Sequence, residues 1–111
     1  MPHLVIEYTQ GLEKRYSIDD IMTKSYQAAI KAELFEPQRI KVRAIPYQHS
    51  RIALEKKDFI HTTVSILSGR TAEQKQKLSN LIGVAQRRCV GEINSLTVEV
   101  RDMEKASYYK S

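Results

Sequence analysis

The sequence of 111 residues has a single cysteine, Cys89, and no long apolar run. One cysteine excludes an internal disulfide and a cysteine-based metal cluster, so a reducing cytoplasm is the expected compartment. No segment approaches the roughly 20 apolar residues that span a bilayer. The first residues also lack the basic segment and apolar stretch of a signal peptide. We therefore expect neither membrane insertion nor secretion.

Stretches rich in glycine, proline or serine are absent as well, which argues against a linker or a disordered arm. A chain of this length fits one compact domain, over residues 1–111. The net charge of +5 is compatible with nucleic acid, a membrane surface or small anionic substrates. Because the basic residues are scattered, most of them are interpreted as solvated surface. The remaining basic residues are explained equally well by small anionic substrates and by nucleic acid.

Four strands are predicted from alternating apolar positions. They are expected over 3–8, 39–46, 59–67 and 96–100, and Cys89 is interpreted as core. The first helix should begin at Ser17 and end before Pro37, and the second should begin at a capping box and end at Gly91. The capping-box residues are Thr71 and Gln74.

The resulting order of strand, helix, strand, strand, helix, strand indicates an α+β fold of two consecutive βαβ units. Right-handed crossovers place both helices on one face of a four-stranded sheet. The other face then needs a cover, for which another subunit is the best candidate. Similar patterns divide the chain into pseudo-repeats of approximately 2–57 and 58–111, in which Ile6 aligns with Val64 and Ile40 with Val98.

Residues 64–75, Val-Ser-Ile-Leu-Ser-Gly-Arg-Thr-Ala-Glu-Gln-Lys, resemble the strand, turn and helix start of 4-oxalocrotonate tautomerase. The opening Met-Pro-His-Leu-Val-Ile-Glu-Tyr and the segment 59–64 are similar to 5-carboxymethyl-2-hydroxymuconate isomerase. The chain thus resembles the two-unit branch of the tautomerase superfamily. This resemblance implies a homotrimer with sites near subunit boundaries, no cofactor or metal, and a role in aromatic compound catabolism.

By the same resemblance, Pro2 would be the catalytic residue once Met1 is removed, because a prolyl amine at a chain end can hold and release a proton. Nearby cations and burial would favour its neutral form, which suits a general base. Arg70, in the glycine-arginine turn, would bind a substrate carboxylate. Lys41 and Arg43 would bind the same dienol or 2-hydroxymuconate-type dicarboxylate. Lys41 stands where the isomerase carries an arginine, and lysine lacks the planar fork of that residue.

Two other functions stay open at this stage. A ferredoxin-like RNA-binding domain has the same order of elements, but 57–64 contains one aromatic residue and no glycine. A tautomerase fold could also serve as a non-catalytic assembly protein. For His3, His49 and His61, no partner can be placed from the sequence, so structural or solvent roles are favoured. Tyr108 and Tyr109 are expected at a subunit boundary or in a mobile tail.

Overall fold

The computed structural model describes residues 1–111. The strands are β1 (His3–Thr9), β2 (Lys41–Tyr47), β3 (Phe59–Leu67) and β4 (Ser95–Met103), and the helices are α1 (Ile18–Lys31) and α2 (Ala72–Cys89). Short 3-10 turns occupy Leu12–Lys14, Pro37–Arg39 and Lys105–Ser107. None of the helices is both long and apolar enough to cross a membrane.

The four strands form one mixed sheet in the order β2-β1-β3-β4. The pairs β1/β2 and β3/β4 are parallel, and β1/β3 in the centre is antiparallel. Each parallel pair is connected through one helix, and both helices pack on the same face of the sheet. The predicted α+β architecture is therefore confirmed.

Both helices begin where side chains satisfy free backbone N–H groups. The Ser17 hydroxyl accepts from the Asp20 N–H at 3.1 Å. At α2, the Thr71 hydroxyl accepts from the Gln74 N–H at 3.1 Å, and the Gln74 side-chain oxygen accepts from the Thr71 N–H at 2.9 Å. The capping box predicted from the sequence is thus present, and both predicted helix starts are confirmed.

β2 begins at Lys41, so the prediction of a strand from residue 39 was wrong at its first two positions. Pro37 starts a 3-10 turn in which the Arg39 N–H donates to the Glu36 carbonyl at 2.9 Å. Proline is favoured at the first position of such a turn because its ring already holds the required φ. The turn moves Arg39 off the sheet and into the cavity described below.

The core lies between the helices and one face of the sheet. Leu4 and Val64 pack there against Leu78 and Ile82 of α2. The small residues of α1, among them Ala28, allow the helix to approach closely. Tight packing of this kind fixes the position of the strand ends that carry the candidate site.

A buried polar cluster links both helices to the sheet. The Gln86 side-chain amide donates to the Ser25 hydroxyl at 3.1 Å and to the Thr62 hydroxyl at 2.8 Å. The Ser25 hydroxyl donates in turn to the Ile21 carbonyl at 2.6 Å. Since all three polar side chains are fully buried, these bonds specify how α1, α2 and β3 align.

The opposite face of the sheet carries no helix. Because side chains alternate along a strand, this open face receives the odd-numbered residues of β1, β2 and β3. They include His3, Arg43 and His61, and β4 adds Glu99 and Arg101. The open face is thus polar and charged in its central rows.

Candidate active site

A cavity of about 420 Å³ lies beside the start of the chain. Its walls come from Met1, from the segment after α1, from the turn after β3 and from the C-terminal 3-10 turn. The cationic and anionic side chains among them are Arg39, Arg70, Lys105 and Glu36. With three cations and one carboxylate, the cavity is suited to an anionic ligand.

Arg70 is held at the rim by the turn between β3 and α2. Gly69 adopts φ +122°, a conformation that favours glycine, and this turn directs the chain from the strand into the helix. The Arg70 Nη2 donates to the Leu34 carbonyl at 2.7 Å, and its guanidinium carbon lies 6.0 Å from the centre of the Phe35 ring. Most of its N–H donors are therefore free to bind a carboxylate.

Pro2 is fully buried between Met1 and β1. Its carbonyl accepts from the Lys41 N–H at 3.0 Å, which continues the pairing of β1 with β2. Burial, followed by the charges of Lys110, Lys41, Arg39 and Arg70, lowers the pKa of the chain-terminal amine, carried by Met1. An amine at this point of the chain is thus driven toward its neutral form by its surroundings.

Lys41 and Arg43 lie outside the cavity lining, on the open face of the sheet. They pair with His3 and Val5 across β1. The Arg43 Nη1 donates to His3 Nδ1 at 3.2 Å, so this arginine is directed along the sheet rather than toward Arg70. Lys41 contributes to the positive potential at the chain start. Within one chain, the structure places Arg70 in the lining of the cavity beside Met1 and Arg43 on the open face against His3.

His3 connects the two ends of the chain. Its Nε2 lies 2.8 Å from the Tyr108 hydroxyl, and burial, followed by the charges of Arg43 and Lys41, lowers its pKa. Because an arginine can only donate, Nδ1 must accept, and the neutral ring then carries its proton on Nε2 and donates to Tyr108. The Tyr108 side chain is anchored at the start of β1 in this way, while Tyr109 is 87% exposed.

Sequence reasoning missed Arg39 and Lys105 as members of the site. The alternation of apolar residues predicts Arg39 in a strand, although its Nε donates to the Glu36 carboxylate at 2.7 Å at the cavity wall. Lys105 belongs to the tail, where no local pattern suggests a role, yet a Cβ on Gly69 would lie 3.4 Å from its Nζ. The one sequence feature that indicates a position for Arg39 outside the strand is Pro37, because proline favours the start of a turn.

A second polar cluster lies on the open face. His61 Nε2 is 2.6 Å from the Glu99 carboxylate, and its Nδ1 is 2.6 Å from the Thr97 hydroxyl. Hydrogen bonds from Arg101 and then from His61 lower the pKa of Glu99. The sequence offered no partner for His61, and the parallel register of β3 and β4 supplies one. No group of three or more His, Cys, Asp or Glu side chains could hold a metal ion.

The sequence profile of the 5-carboxymethyl-2-hydroxymuconate isomerase family matches residues 2–111. A search among curated proteins finds no match.

Solved structures share the fold. A 5-carboxymethyl-2-hydroxymuconate isomerase from Deinococcus radiodurans R1 has a TM-score of 0.87 at 21% identity, over 99% of this chain and 88% of that one. A 5-carboxymethyl-2-hydroxymuconate delta-isomerase has a TM-score of 0.82 at 19% identity, over 100% and 87%. A fused 4-OT described as a symmetric trimer has a TM-score of 0.80 at 18% identity, over 94% and 87%.

Proposed function

Because this chain belongs to the 5-carboxymethyl-2-hydroxymuconate isomerase family and is an isomerase, we propose that it is a cofactor-independent tautomerase with Pro2 as its proton-transferring group. The proposed substrate is a dienol or 2-hydroxymuconate-type dicarboxylate. The observation that carries this proposal is the environment of the chain start, where burial and then the surrounding cations lower the pKa of the Met1 amine, and where cations of the adjoining cavity provide anion-binding groups.

The mechanism requires that Met1 is removed. With Met1 attached, the Pro2 nitrogen is an amide and has no basicity. After removal it becomes a secondary amine one residue from the position of the Met1 amine, close to the same cations, and the Pro2 side chain is buried in the chain that retains Met1. Burial and positive neighbours both disfavour an ammonium group, so the neutral amine would be available as a base near neutral pH.

The proposed reaction moves one proton and consumes nothing. The Pro2 nitrogen takes the proton from the enol oxygen of the substrate, and the electrons of the broken O–H bond form the carbonyl. The conjugated chain then takes the proton back from the prolyl ammonium group at one of its carbons. Since the negative charge of the dienolate grows before the proton is returned, nearby cations stabilise the transition state more than the substrate.

Arg70 is the proposed binding group for one substrate carboxylate. Its contacts with Leu34 and Phe35 hold the guanidinium in place, so little ordering is needed when a ligand binds. Lys105, which lies beside Gly69, provides a second positive charge on the same wall. Lys41 and Arg43 face away from this cavity in their own chain, so a role for them at the site would involve the open face of the sheet.

The open face supports a proposed homotrimer. Its charged rows lack any cover from their own chain, and a similar fold, a fused 4-OT, is described as a symmetric trimer. Assembly through this face would place Lys41 and Arg43 at a subunit boundary. The partner of the proposed reaction is the small anionic substrate, and the proposed setting is the catabolism of aromatic compounds in the cytoplasm.

The decisive experiment combines an intact-mass measurement with the rate of ketonisation of 2-hydroxymuconate. Wild-type protein without Met1 should accelerate the reaction, and Pro2→Ala should lose about 100-fold or more of the rate, the usual range for a general base. Pro46→Ala, a change at an exposed position of β2, is the matched control and should keep the activity. Processed wild-type protein without any rate would reject the mechanism and favour a non-catalytic assembly role.

A further inference from the structure

The largest cavity of the molecule is separate from this site. A groove of about 710 Å³ runs between α1 and α2 on the helical surface and shares no lining residue with the cavity beside Met1. Its floor is formed by Ala28, Leu81, Val84 and Ala85. Val84 is 51% exposed and adds apolar surface beside the other three. These small and medium apolar side chains would allow another helix to approach closely.

Four cations surround this floor: Lys24, Lys31, Lys77 and Arg88. None of the four takes part in an ion pair of the chain. Glu73 is the single acidic residue of the groove. The cations repel one another across an apolar floor, and an occupant with negative groups at both edges would relieve this repulsion.

The cations lie in two pairs at opposite ends of the groove. α1 and α2 are antiparallel, because each helix leads from its strand back to the parallel neighbour of that strand, and β1 and β3 are antiparallel. The bond from Gln86 of α2 to Ser25 of α1 shows which parts of the two helices meet. Lys24 therefore lies toward the end of the groove that carries Arg88, and Lys31 toward the end that carries Lys77. The seven positions from Lys24 to Lys31 correspond to about 10.5 Å along α1, or two helical turns.

We propose that the α1–α2 groove binds an acidic amphipathic helix of a partner protein. Its apolar stripe would lie on the floor, and carboxylates two turns apart would meet the two pairs of cations. A small monoanion could use only one of these ends. The groove lies on the face opposite the open sheet face, so it would stay accessible in a trimer assembled through that face.

A synthetic helix of about 16 residues provides the test, with leucines spaced by four and three positions and glutamates on both sides of the stripe. Its binding is measured by fluorescence anisotropy at low and high salt. We expect saturable binding that weakens with salt and falls at least tenfold in the double variant Lys24→Glu/Lys31→Glu. The same peptide with lysines in place of glutamates should not bind.

Arg51→Glu/Lys56→Glu is the matched control, since both residues are exposed in the loop before β3, outside the groove, and the change in net charge is identical. This control should bind the acidic peptide within twofold of wild type. Absence of binding to wild type at millimolar peptide, or equal loss in both double variants, would overturn the proposal. The proposal would also be overturned if the protein bound anionic lipid vesicles and not the peptide, and if this binding required Lys24 and Lys31. Isomerase activity should be unchanged in both variants, which separates this test from that of the proposed reaction.

Discussion

Arg70→Ala is the substitution that tests the site most directly. The guanidinium uses one N–H for the Leu34 carbonyl and keeps the others free for a substrate carboxylate. A hydrogen bond to a charged group contributes about 1.5–3 kcal/mol. Loss of two such hydrogen bonds to a carboxylate should therefore raise the free-energy barrier measured by kcat/KM by about 3 kcal/mol, which lowers kcat/KM roughly 100-fold. Steady-state kinetics with 2-hydroxymuconate measure this loss.

Two matched variants separate charge from geometry. Arg70→Lys keeps the positive charge without the planar fork and should recover part of the loss, to about tenfold below wild type. Arg51→Ala removes an exposed arginine that does not line the cavity beside Met1 and should leave the kinetics unchanged. Because Arg70 is exposed, its loss should change the free energy of unfolding by no more than about 0.5 kcal/mol. A value of kcat/KM for Arg70→Ala within threefold of wild type would refute the proposed role.

Three further outcomes are expected. Arg39→Gln removes one of the charges that lower the pKa of the terminal amine, so that pKa should rise. In a pH–rate profile, the pH at which kcat/KM falls on the acidic side should therefore move upward. An unchanged profile would contradict this. Gln86→Ala removes two buried hydrogen bonds and leaves a cavity, so the free energy of unfolding measured in urea should fall by about 2–4 kcal/mol. The control Gln76→Ala, at an exposed position, should lower it by about 0.5 kcal/mol or less. The pKa of His3 lies below 6.5 in the folded chain, so the unfolded chain binds more protons, and the free energy of unfolding should fall as the pH drops below 6.5. His3→Gln should reduce the difference between the urea midpoints measured at about pH 5 and pH 8.

The elements were predictable where their signals are local. β3 has the predicted bounds of Phe59–Leu67, and the Thr71–Gln74 capping box is present, because alternation and capping depend on neighbours in the sequence. The start of β2 was not predicted, since the alternation of apolar residues extends into a turn that Pro37 begins. A periodic pattern indicates which face is apolar but does not show where hydrogen bonding of the strand starts.

The candidate site was predictable only in part, for a physical reason. Arg70 could be found because the glycine-arginine turn is contiguous in the chain. Lys105 reaches the same cavity wall from the other end of the chain, and His61 finds Glu99 only through the register of two parallel strands. Contacts of this kind depend on how the strands are ordered, and no short stretch of sequence records that order.

The bond between His3 and Tyr108 has a consequence for how this scaffold can diversify. It ties Tyr108 to the start of β1 on the open face, while the last residues of the chain contribute nothing to the packed core. Exchanges in the tail can therefore change the surface around the start of β1 at little cost to folding. Relatives built on this architecture can therefore vary at one end of the gene while the core positions stay under unchanged selection.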